Sequence, residues 1–437
     1  MLTRSALALG LKGMIVAAGF GMQIVLARTL GPEGLGVYAT FLSMVTVLSV
    51  TGGFGMPLAA IRFIPVYAAT GEAARLRGFI RTAQWLLATS SVGIAAAFWL
   101  AFALTPSLRD QAGHALAAAA IIPSFGFVTL AAGMLQAMGQ PLRAELLAGL
   151  ARTLLVGVLV LVAGLLGLAD PAVALWLTAL AAAIAWAAAL PAVRRAMPVP
   201  RCGPRSTEDR RRWIDAGLAF VLAMAAVSLV ERLDTIMLGT LVGAEAAGVY
   251  SVASRLALTV ALASTSVLSL MAPAMARQAA AQDTDGLRRT VAVAVALMVG
   301  LAAAIAVVLI AALPWLLPAF GRGFEDAAGP LAILLGGLVA VAACGPGGGL
   351  LALAGHNRAT VACAFGAVIL DIVLCLLLVP VFGSEGAAVA TVATLFAQAA
   401  TQAVVVRRLL GVDPTLLGAL RLAWRSSGPG ARGEGQG

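Results

Sequence analysis

Twelve apolar runs, most of them about 20 residues long or slightly longer, constrain this chain more than any other feature of its sequence. A helix rises about 1.5 Å per residue, so about 20 residues span the roughly 30 Å hydrocarbon core of a bilayer. We number the runs as spans 1 to 12 and place them at residues 5–28, 35–60, 79–104, 113–138, 143–166, 171–193, 213–241, 245–273, 288–313, 329–354, 359–381 and 385–406. Only 11% of the residues are charged, whereas soluble domains carry about 25%. We therefore expect an all-α integral membrane protein with no separate soluble domain.

The basic residues, 28 Arg and one Lys, are distributed unevenly between the two sides of the predicted spans. With a cytoplasmic N-terminus, the inner loops and tails carry 22 of the 29 and the outer loops carry three. The positive-inside rule favours this orientation. We predict that both termini are cytoplasmic and that the number of spans is even. The net charge of +10 does not indicate nucleic acid binding, because the sequence has no basic face with base-reading side chains.

Neither a metal site nor a cofactor is expected. The candidate metal ligands are four cysteines without a CxxC spacing and two distant histidines: Cys202, Cys344, Cys363, Cys375, His114 and His356. The glycine-rich stretches at 52–57 and 345–349 lie within apolar runs and lack the Lys-Ser/Thr that follows a phosphate-binding loop. We interpret them as helix kinks and as sites of close helix packing.

The second half of the sequence repeats the first. Residues 31–38, Gly-Pro-Glu-Gly-Leu-Gly-Val-Tyr, match residues 243–250, Gly-Ala-Glu-Ala-Ala-Gly-Val-Tyr, at five of eight positions. An offset of 216 pairs a proline and three glycines: Pro57 with Pro273, Gly133 with Gly349, Gly139 with Gly355, and Gly167 with Gly383. Each half holds six spans and enters the membrane in the same orientation. This predicts two parallel six-helix lobes around a central cavity, a common transporter architecture.

Four regions follow from this organisation. We predict an N-terminal six-helix lobe at residues 1–193, a cytoplasmic linker at 194–212 that is rich in Arg and Pro, and a C-terminal six-helix lobe at 213–410. A flexible cytoplasmic tail is expected at 411–437, where the periodic pattern ends.

The junction of spans 1 and 2 carries a resemblance to a known family. Residues 27–43, Ala-Arg-Thr-Leu-Gly-Pro-Glu-Gly-Leu-Gly-Val-Tyr-Ala-Thr-Phe-Leu-Ser, resemble this junction in the polysaccharide-biosynthesis proteins, the oligosaccharide-lipid flippases. Residues 234–239 and 247–253 resemble the corresponding junction in the second half of those proteins. The family belongs to the multidrug/oligosaccharidyl-lipid/polysaccharide (MOP) exporter superfamily, together with multidrug and toxic-compound extrusion exporters and lipid II flippases.

The resemblance implies a transporter and not an enzyme. The implied substrate is an undecaprenyl-diphosphate-linked oligosaccharide, moved from the inner to the outer leaflet of the bacterial cytoplasmic (inner) membrane for cell-surface polysaccharide synthesis. Alternating access between the lobes is the implied mechanism. The lipid-linked oligosaccharide and membrane lipids are the expected partners. The resemblance leaves open H⁺ or Na⁺ as a coupling ion and polysaccharide polymerases as protein partners.

Five basic residues in or beside the spans are candidates for substrate binding: Arg255, Lys12, Arg152, Arg28 and Arg62. A charge at a helix centre costs at least about 2.5–3.5 kcal/mol, so each requires an explanation. Arg255 lies about ten residues into span 8, and in a water-filled cavity its guanidinium would bind a diphosphate. The alternatives are a buried ion pair for Arg255, snorkelling for Lys12, and interface anchoring for Arg28 and Arg62.

Four further charged residues are candidates for coupling or gating: Glu231, Arg232, Asp234 and Asp371. Glu231 and Asp234 are three residues apart in span 7 and would share a helix face, with Arg232 about 100° away. One carboxylate would bind a proton or cation, or the group would form a salt-bridge gate. Asp371 lies near the position equivalent to Arg152, and both residues either face the cavity or pair locally.

Three alternatives remain. A cation-coupled multidrug exporter of the same fold would be expected to have acidic and aromatic cavity residues, whereas Lys12, Arg152 and Arg255 favour an anionic substrate. A membrane glycosyltransferase, ligase or polymerase would need longer loops than the longest outer loop, which has about fifteen residues. A scramblase without energy coupling stays open.

Overall fold

The structure, a computed structural model, describes residues 2–197, 206, 208–281 and 283–427, and within these residues it is built from helices without strands. The helices are α1 (Leu2–Gly52), α2 (Met56–Ala69), α3 (Ala73–Leu104), α4 (Ala112–Ala119), α5 (Ile121–Ala137), α6 (Pro141–Ala144), α7 (Arg152–Leu165), α8 (Pro171–Ala196), α9 (Arg210–Val230), α10 (Leu233–Leu241), α11 (Ala244–Ala280), α12 (Thr284–Phe320), α13 (Ala328–Ala343), α14 (Gly347–Leu353), α15 (Asn357–Leu410) and α16 (Leu416–Ser427). Two 3₁₀ segments, Pro106–Gln111 and Glu325–Ala327, and one π-helical segment, Glu145–Ala151, complete the regular structure. The predicted all-α class is confirmed.

Ten segments of the described chain are long and apolar enough to cross a bilayer. Residues 10–69 and 359–410, with 60 and 52 residues, are much longer than the rest and exceed the roughly 20 residues that one crossing needs. Each contains a glycine outside the helical conformation, Gly31 at φ 69° and Gly383 at φ 55°. Each long segment therefore supplies two crossings, which gives the twelve spans that the sequence predicts.

The repeat in the sequence is also a repeat of contacts. In the first half, the Tyr38 hydroxyl and Thr178 Oγ1 are 3.0 Å apart and share a hydrogen bond. In the second half, the hydroxyl of the equivalent Tyr250 forms the same bond with Thr391 Oγ1 at 3.2 Å. The two tyrosines come from the matching octapeptides, and their threonine partners lie in spans 6 and 12. The equivalent tyrosines thus join equivalent spans in both halves.

The helices form two compact units. One comprises residues 1–249 with 319–324, and the other comprises residues 250–318 with 325–437. Contacts thus group α9 and α10, which together form span 7, with the first half of the chain. The lobe boundaries at 193 and 213 remain a prediction.

Small residues allow α10 and the start of α11 to approach α1 closely. A Cβ atom at Gly36 would overlap the carbonyl oxygen of Ala244, and a Cβ atom at Gly248 would overlap the carbonyl oxygen of Pro32. Gly36 and Gly248 are equivalent positions of the repeated octapeptide. The backbones of the two octapeptide copies can therefore lie in direct contact within the first unit, because a glycine stands at the contact position of each copy.

An aromatic cluster fixes the start of α9 on α2 and α3. Trp213 is fully buried, and its Nε1 donates a hydrogen bond of 2.9 Å to the Tyr67 hydroxyl. That hydroxyl donates to Asp209 Oδ2 at 3.1 Å. Phe63 and Phe79 complete the cluster, with Phe79 edge-on to Trp213.

Two glycine-rich stretches interrupt helices, as the sequence indicates. The chain leaves α1 at Gly52 and begins α2 at Met56, with Gly55 in the left-handed region at φ 63°. Between α13 and α14, Gly345 adopts φ 79°. The kink interpretation is confirmed at both places.

The C-terminal region differs from the predicted flexible tail, because residues 416–427 form the helix α16. Leucines at 416, 417 and 420 give this segment a helical periodicity that the glycine-rich end of the sequence obscures. Residues 428–437 lie outside the described residues. So do residues 198–205 and 207 of the predicted linker, whereas its residues 194–196 end α8 and 210–212 begin α9.

Candidate functional site

A cavity of about 780 Å³ lies in the first unit, beside the N-terminal part of α1. Small-molecule sites commonly have volumes of about 300–1,000 Å³. The residues that line it come from α1 and from the connection between α5 and α7: Leu11, Lys12, Gln136, Gly139, Gln140, Pro141, Leu142, Arg143 and Glu145.

The backbone of this connection explains why its polar side chains lie together. Gly139 adopts φ 71°, a left-handed conformation that turns the chain after α5. Pro141 then begins α6, whose first turn needs no N–H from that residue. The π-helical segment Glu145–Ala151 follows at once. π-Helical segments are rare in proteins, and those that occur often lie at functional sites. They change the direction in which neighbouring side chains point.

The cavity carries two cations and one carboxylate, those of Lys12, Arg143 and Glu145. Lys12 and Arg143 are exposed, and neither forms an ion pair with any carboxylate in the described part of the chain. Arg143 Nη1 donates a hydrogen bond of 3.0 Å to Gln140 Oε1. The amides of Gln136 and Gln140 offer both donors and acceptors. The lining can therefore bind an anionic group and neighbouring hydroxyl groups.

Lys12 is the member of this site that the sequence indicates. Gln136, Gln140, Arg143 and Glu145 escape sequence reasoning because they fall at the ends of spans 4 and 5, where charge is interpreted as an orientation signal. The usable signal is the density of polar side chains between residues 136 and 145, in a chain that is 61% apolar overall.

Two other predicted cations have local partners in the first unit. Arg152 Nε donates to the Ala148 carbonyl oxygen at 2.9 Å, and its guanidinium lies 4.7 Å from the centre of the Phe125 ring. Arg28 Nε donates to the Ala319 carbonyl oxygen at 2.7 Å, at the end of α12. These contacts agree with structural roles and do not bring either residue to the cavity.

The remaining two cations also lie outside this lining. Arg62 is exposed, and its guanidinium lies 5.5 Å from the centre of the adjacent Phe63 ring. Arg255 is partly buried in α11, in the second unit. Their predicted role in substrate binding remains a prediction.

Span 7 is interrupted at the predicted coupling group. Helix α9 ends at Val230 and α10 begins at Leu233, so Glu231 and Asp234 do not share one continuous helix face, contrary to the prediction. Glu231 is exposed, whereas Asp234 is 4% exposed. The reason is the turn at Glu231 and Arg232, which breaks the helical periodicity on which the prediction depends.

The buried carboxylate of Asp234 lies in the first turn of α10. Its Oδ1 accepts hydrogen bonds from the Thr235 backbone N–H at 2.6 Å and from the Thr235 hydroxyl at 3.3 Å. The partial positive charge of a helix N-terminus also stabilises a carboxylate there. Arg232 Nε is buried and has no hydrogen-bond partner among the described residues. At the interruption, the Asp234 carboxylate is therefore hydrogen-bonded, whereas the buried Nε of Arg232 has no hydrogen-bond partner among the described residues.

Asp371 is buried in the second unit, with 1% exposure. Its Oδ1 accepts a hydrogen bond of 3.2 Å from the Thr394 hydroxyl, and Cys375 Sγ lies 4.0 Å from the same oxygen. The bond to Thr394 joins spans 11 and 12. Of the two alternatives stated for Asp371, a role in the cavity or local pairing, these contacts agree with local pairing.

Two protein families match the chain. The family described as polysaccharide biosynthesis protein matches residues 2–279, and the family MatE matches residues 219–377. No curated protein matches.

Solved structures share the fold along nearly the whole chain. The lipid II flippase MurJ in an inward closed conformation matches with a TM-score of 0.74 and 12% identity, covering 95% of this chain and 89% of that chain. An inward-facing multidrug resistance MATE family transporter of the MOP superfamily matches with a TM-score of 0.69 and 15% identity, covering 95% and 96%. A MOP superfamily transporter from Pyrococcus furiosus matches with a TM-score of 0.60 and 14% identity, covering 96% and 97%. These likenesses confirm the predicted all-α, two-lobed membrane fold.

Proposed function

The chain belongs to the polysaccharide biosynthesis protein family of the MOP superfamily, and we propose that it is a flippase for an undecaprenyl-diphosphate-linked oligosaccharide. It moves this lipid from the inner to the outer leaflet of the bacterial cytoplasmic membrane and so supplies cell-surface polysaccharide synthesis. The observation that carries the proposal is the cavity in which Lys12 and Arg143 lie beside Gln136 and Gln140.

The chemistry of this cavity suits a glycosylated diphosphate. Charge-assisted hydrogen bonds from Lys12 and Arg143 bind phosphate oxygens, and the arginine fork can bind two of them at once. The two glutamine amides bind sugar hydroxyl groups. The polyprenyl chain remains in the bilayer, because apolar surface that already lies in hydrocarbon gains nothing by leaving it.

Lys12 lies near the N-terminal end of α1, on the side of the membrane where the N-terminus lies. With a cytoplasmic N-terminus, the cavity receives the substrate from the inner leaflet. In this proposal Arg255 and Arg62 bind the diphosphate at other stages of alternating access, whereas Arg152 and Arg28 keep the local contacts described above. Asp234, with Glu231 and Arg232 at the interruption of span 7 and Asp371 in span 11, serves proton or cation coupling or gating.

The second candidate is a cation-coupled multidrug exporter, which the MatE match to residues 219–377 favours. A cationic drug would be repelled by Lys12 and Arg143, which outnumber the single carboxylate of Glu145 in this cavity. The charge of the lining therefore favours the flippase.

The test is the leaflet distribution of the lipid-linked oligosaccharide in cells that lack the gene and carry plasmid-borne variants. The double variant Lys12→Gln/Arg143→Gln removes both cations of the cavity. The matched control Arg109→Gln/Arg195→Gln removes two exposed positive charges elsewhere.

We expect the cavity variant to lower transport by more than about tenfold, since each hydrogen bond to a charged group contributes about 1.5–3 kcal/mol. The lipid-linked sugar then accumulates on the cytoplasmic face, whereas the control complements the deletion. If the deletion leaves lipid-linked sugars unchanged and raises sensitivity to cationic drugs, the exporter replaces the flippase.

A further inference from the structure

The C-terminal helix α16 starts at an ordered junction directly after the last span. Gly411 ends α15 in the left-handed region at φ 63°. Asp413 Oδ1 then accepts hydrogen bonds from the Thr415 N–H at 3.1 Å and the Thr415 hydroxyl at 2.7 Å, and Gly418 N donates to Thr415 Oγ1 at 3.3 Å. These bonds satisfy backbone groups at the start of α16. Since α15 ends a membrane crossing only a few residues earlier, α16 begins at the membrane surface.

One face of α16 consists of large apolar side chains that the described part of the chain leaves uncovered. Leu417, Leu420 and Trp424 are 65%, 58% and 83% exposed. Their spacing of three and four residues places them on the same side of the helix. An amphipathic helix at a membrane surface buries such a face at the boundary of headgroups and acyl chains, and tryptophan is enriched at that depth.

A basic cavity of about 290 Å³ adjoins the same helix, and its charged lining residues are Arg288, Arg407, Arg421 and Asp413. Three cations face one carboxylate in the lining, and Arg288 Nη1 also pairs with Asp285 Oδ1 at 3.3 Å, so the group including Asp285 keeps a net positive charge of +1. Arg407 Nη1 lies 3.9 Å from Asp413 Oδ2, and Arg288 Nη2 donates to the Gly411 carbonyl oxygen at 3.0 Å. The side chains of Arg288 and Arg407 are nevertheless 46% and 66% exposed, so a ligand can reach both.

Arg421 connects the cavity with the apolar face. At about 100° per residue, Arg421 lies about 40° from Leu417 on one side of the helix, and Leu420 lies about 60° from Leu417 on the other side. Gly418 and Leu422, which also line the cavity, lie further round on the side of Arg421. The cationic lining and the apolar face are therefore neighbours on one short helix.

We propose that this junction is a binding site for an anionic glycerophospholipid of the surrounding leaflet. Arg288, Arg407 and Arg421 bind the headgroup phosphate, and the acyl chains lie along Leu417, Leu420 and Trp424. Basic pockets beside membrane helices recognise anionic headgroups by this combination of charge and position. The apolar face favours a lipid over free phosphate, because free phosphate has no acyl chains to pack against it.

The test measures lipid retention by the full-length protein. Native mass spectrometry compares bound phosphatidylglycerol and phosphatidylcholine after purification into mixed micelles of each lipid, with inorganic phosphate as a separate addition. The variant is Arg407→Gln/Arg421→Gln, and the matched control is again Arg109→Gln/Arg195→Gln. Size-exclusion chromatography verifies that each variant is folded.

We expect the wild type and the control to retain phosphatidylglycerol in preference to phosphatidylcholine. The Arg407→Gln/Arg421→Gln variant should bind phosphatidylglycerol about 30-fold more weakly, because each basic residue near an anionic surface contributes about 1 kcal/mol and 1.4 kcal/mol is tenfold. Equal retention by this variant and the control overturns the proposal, as does displacement of the lipid by millimolar inorganic phosphate, which indicates a small-anion site.

A second measurement does not depend on the arginine variants. Brominated phosphatidylglycerol quenches tryptophan fluorescence at short range, and Trp424→Phe removes one exposed indole without disturbing buried contacts. We expect the quenched fraction to fall in Trp424→Phe when the bromines lie close to the headgroup. An unchanged quenched fraction would show that α16 does not lie in the bilayer surface and would overturn the proposal.

Discussion

Asp234 carries a buried carboxylate at the interruption of span 7. The Thr235 N–H and hydroxyl both bond to Oδ1, and the residue lies in the first turn of α10. These contacts stabilise the helix start whether or not the carboxylate binds a proton or cation during transport. Stability and transport therefore have to be measured together on the same variants.

Asp234→Asn keeps an oxygen that accepts the Thr235 N–H and removes the charge. If Asp234 serves coupling, transport of the lipid-linked oligosaccharide falls sharply while the midpoint of thermal unfolding changes little. Asp234→Ala removes the acceptor as well and should cost about 1–3 kcal/mol of stability, because a buried donor is left unpaired. Asp110→Asn, at an exposed position between spans 3 and 4, is the control. Wild-type transport by Asp234→Asn would assign the carboxylate a structural role only.

Among the elements, α9 depends on its first turns for its place in the first unit. Trp213 is fully buried between α2 and α3, and Tyr67 joins it to Asp209 by hydrogen bonds. Asp209 also lies 3.4 Å from Arg75 Nε, at the start of α3. An aromatic cluster and a polar network thus hold the same helix start, immediately after the predicted linker.

Trp213→Ala should destabilise the protein by about 3–5 kcal/mol, the usual cost of truncating a buried tryptophan. Trp315→Ala is the matched control, since Trp315 in α12 is 78% exposed and an exposed substitution usually changes stability by about 0.5 kcal/mol or less. Thermal unfolding in one detergent compares the two variants. Similar melting temperatures would contradict the anchoring role of Trp213.

For the whole molecule, an even number of crossings requires both ends of the chain on one side of the membrane. Ten long apolar segments, of which two are interrupted at Gly31 and Gly383, give twelve crossings. The number of crossings does not show on which side of the membrane the two termini lie. The direction comes from the distribution of arginine, which predicts cytoplasmic termini.

Cysteine labelling in intact cells tests this orientation. In a background without native cysteines, we expect Arg109→Cys, between spans 3 and 4, to react with a membrane-impermeant maleimide from outside. Asp285→Cys, between spans 8 and 9, should react only after the membrane is permeabilised. Labelling of Asp285→Cys and protection of Arg109→Cys would reverse the orientation, and labelling of both from outside would contradict the number of crossings between them.

The sequence by itself determined the all-α class, the twelve spans and the repeat. Each depends on properties that are local in the chain or recur in it. A run of apolar residues has to be helical in a bilayer, because its backbone groups find no other hydrogen-bond partners there. The matching octapeptides around Tyr38 and Tyr250 reveal the repeat without coordinates, and Lys12 is notable because a charge in an apolar run is costly.

Only the tertiary structure decided which polar residues share a site. Lys12 meets Arg143 and Gln140 in one cavity although more than 120 residues separate them, and a turn in span 7 separates the environments of Glu231 and Asp234. Neither result follows from periodicity, because periodicity assumes an unbroken helix and says nothing about which helices are neighbours. The physical reason is that a membrane-spanning sequence fixes where each helix lies along the membrane normal, while side-chain packing fixes its neighbours.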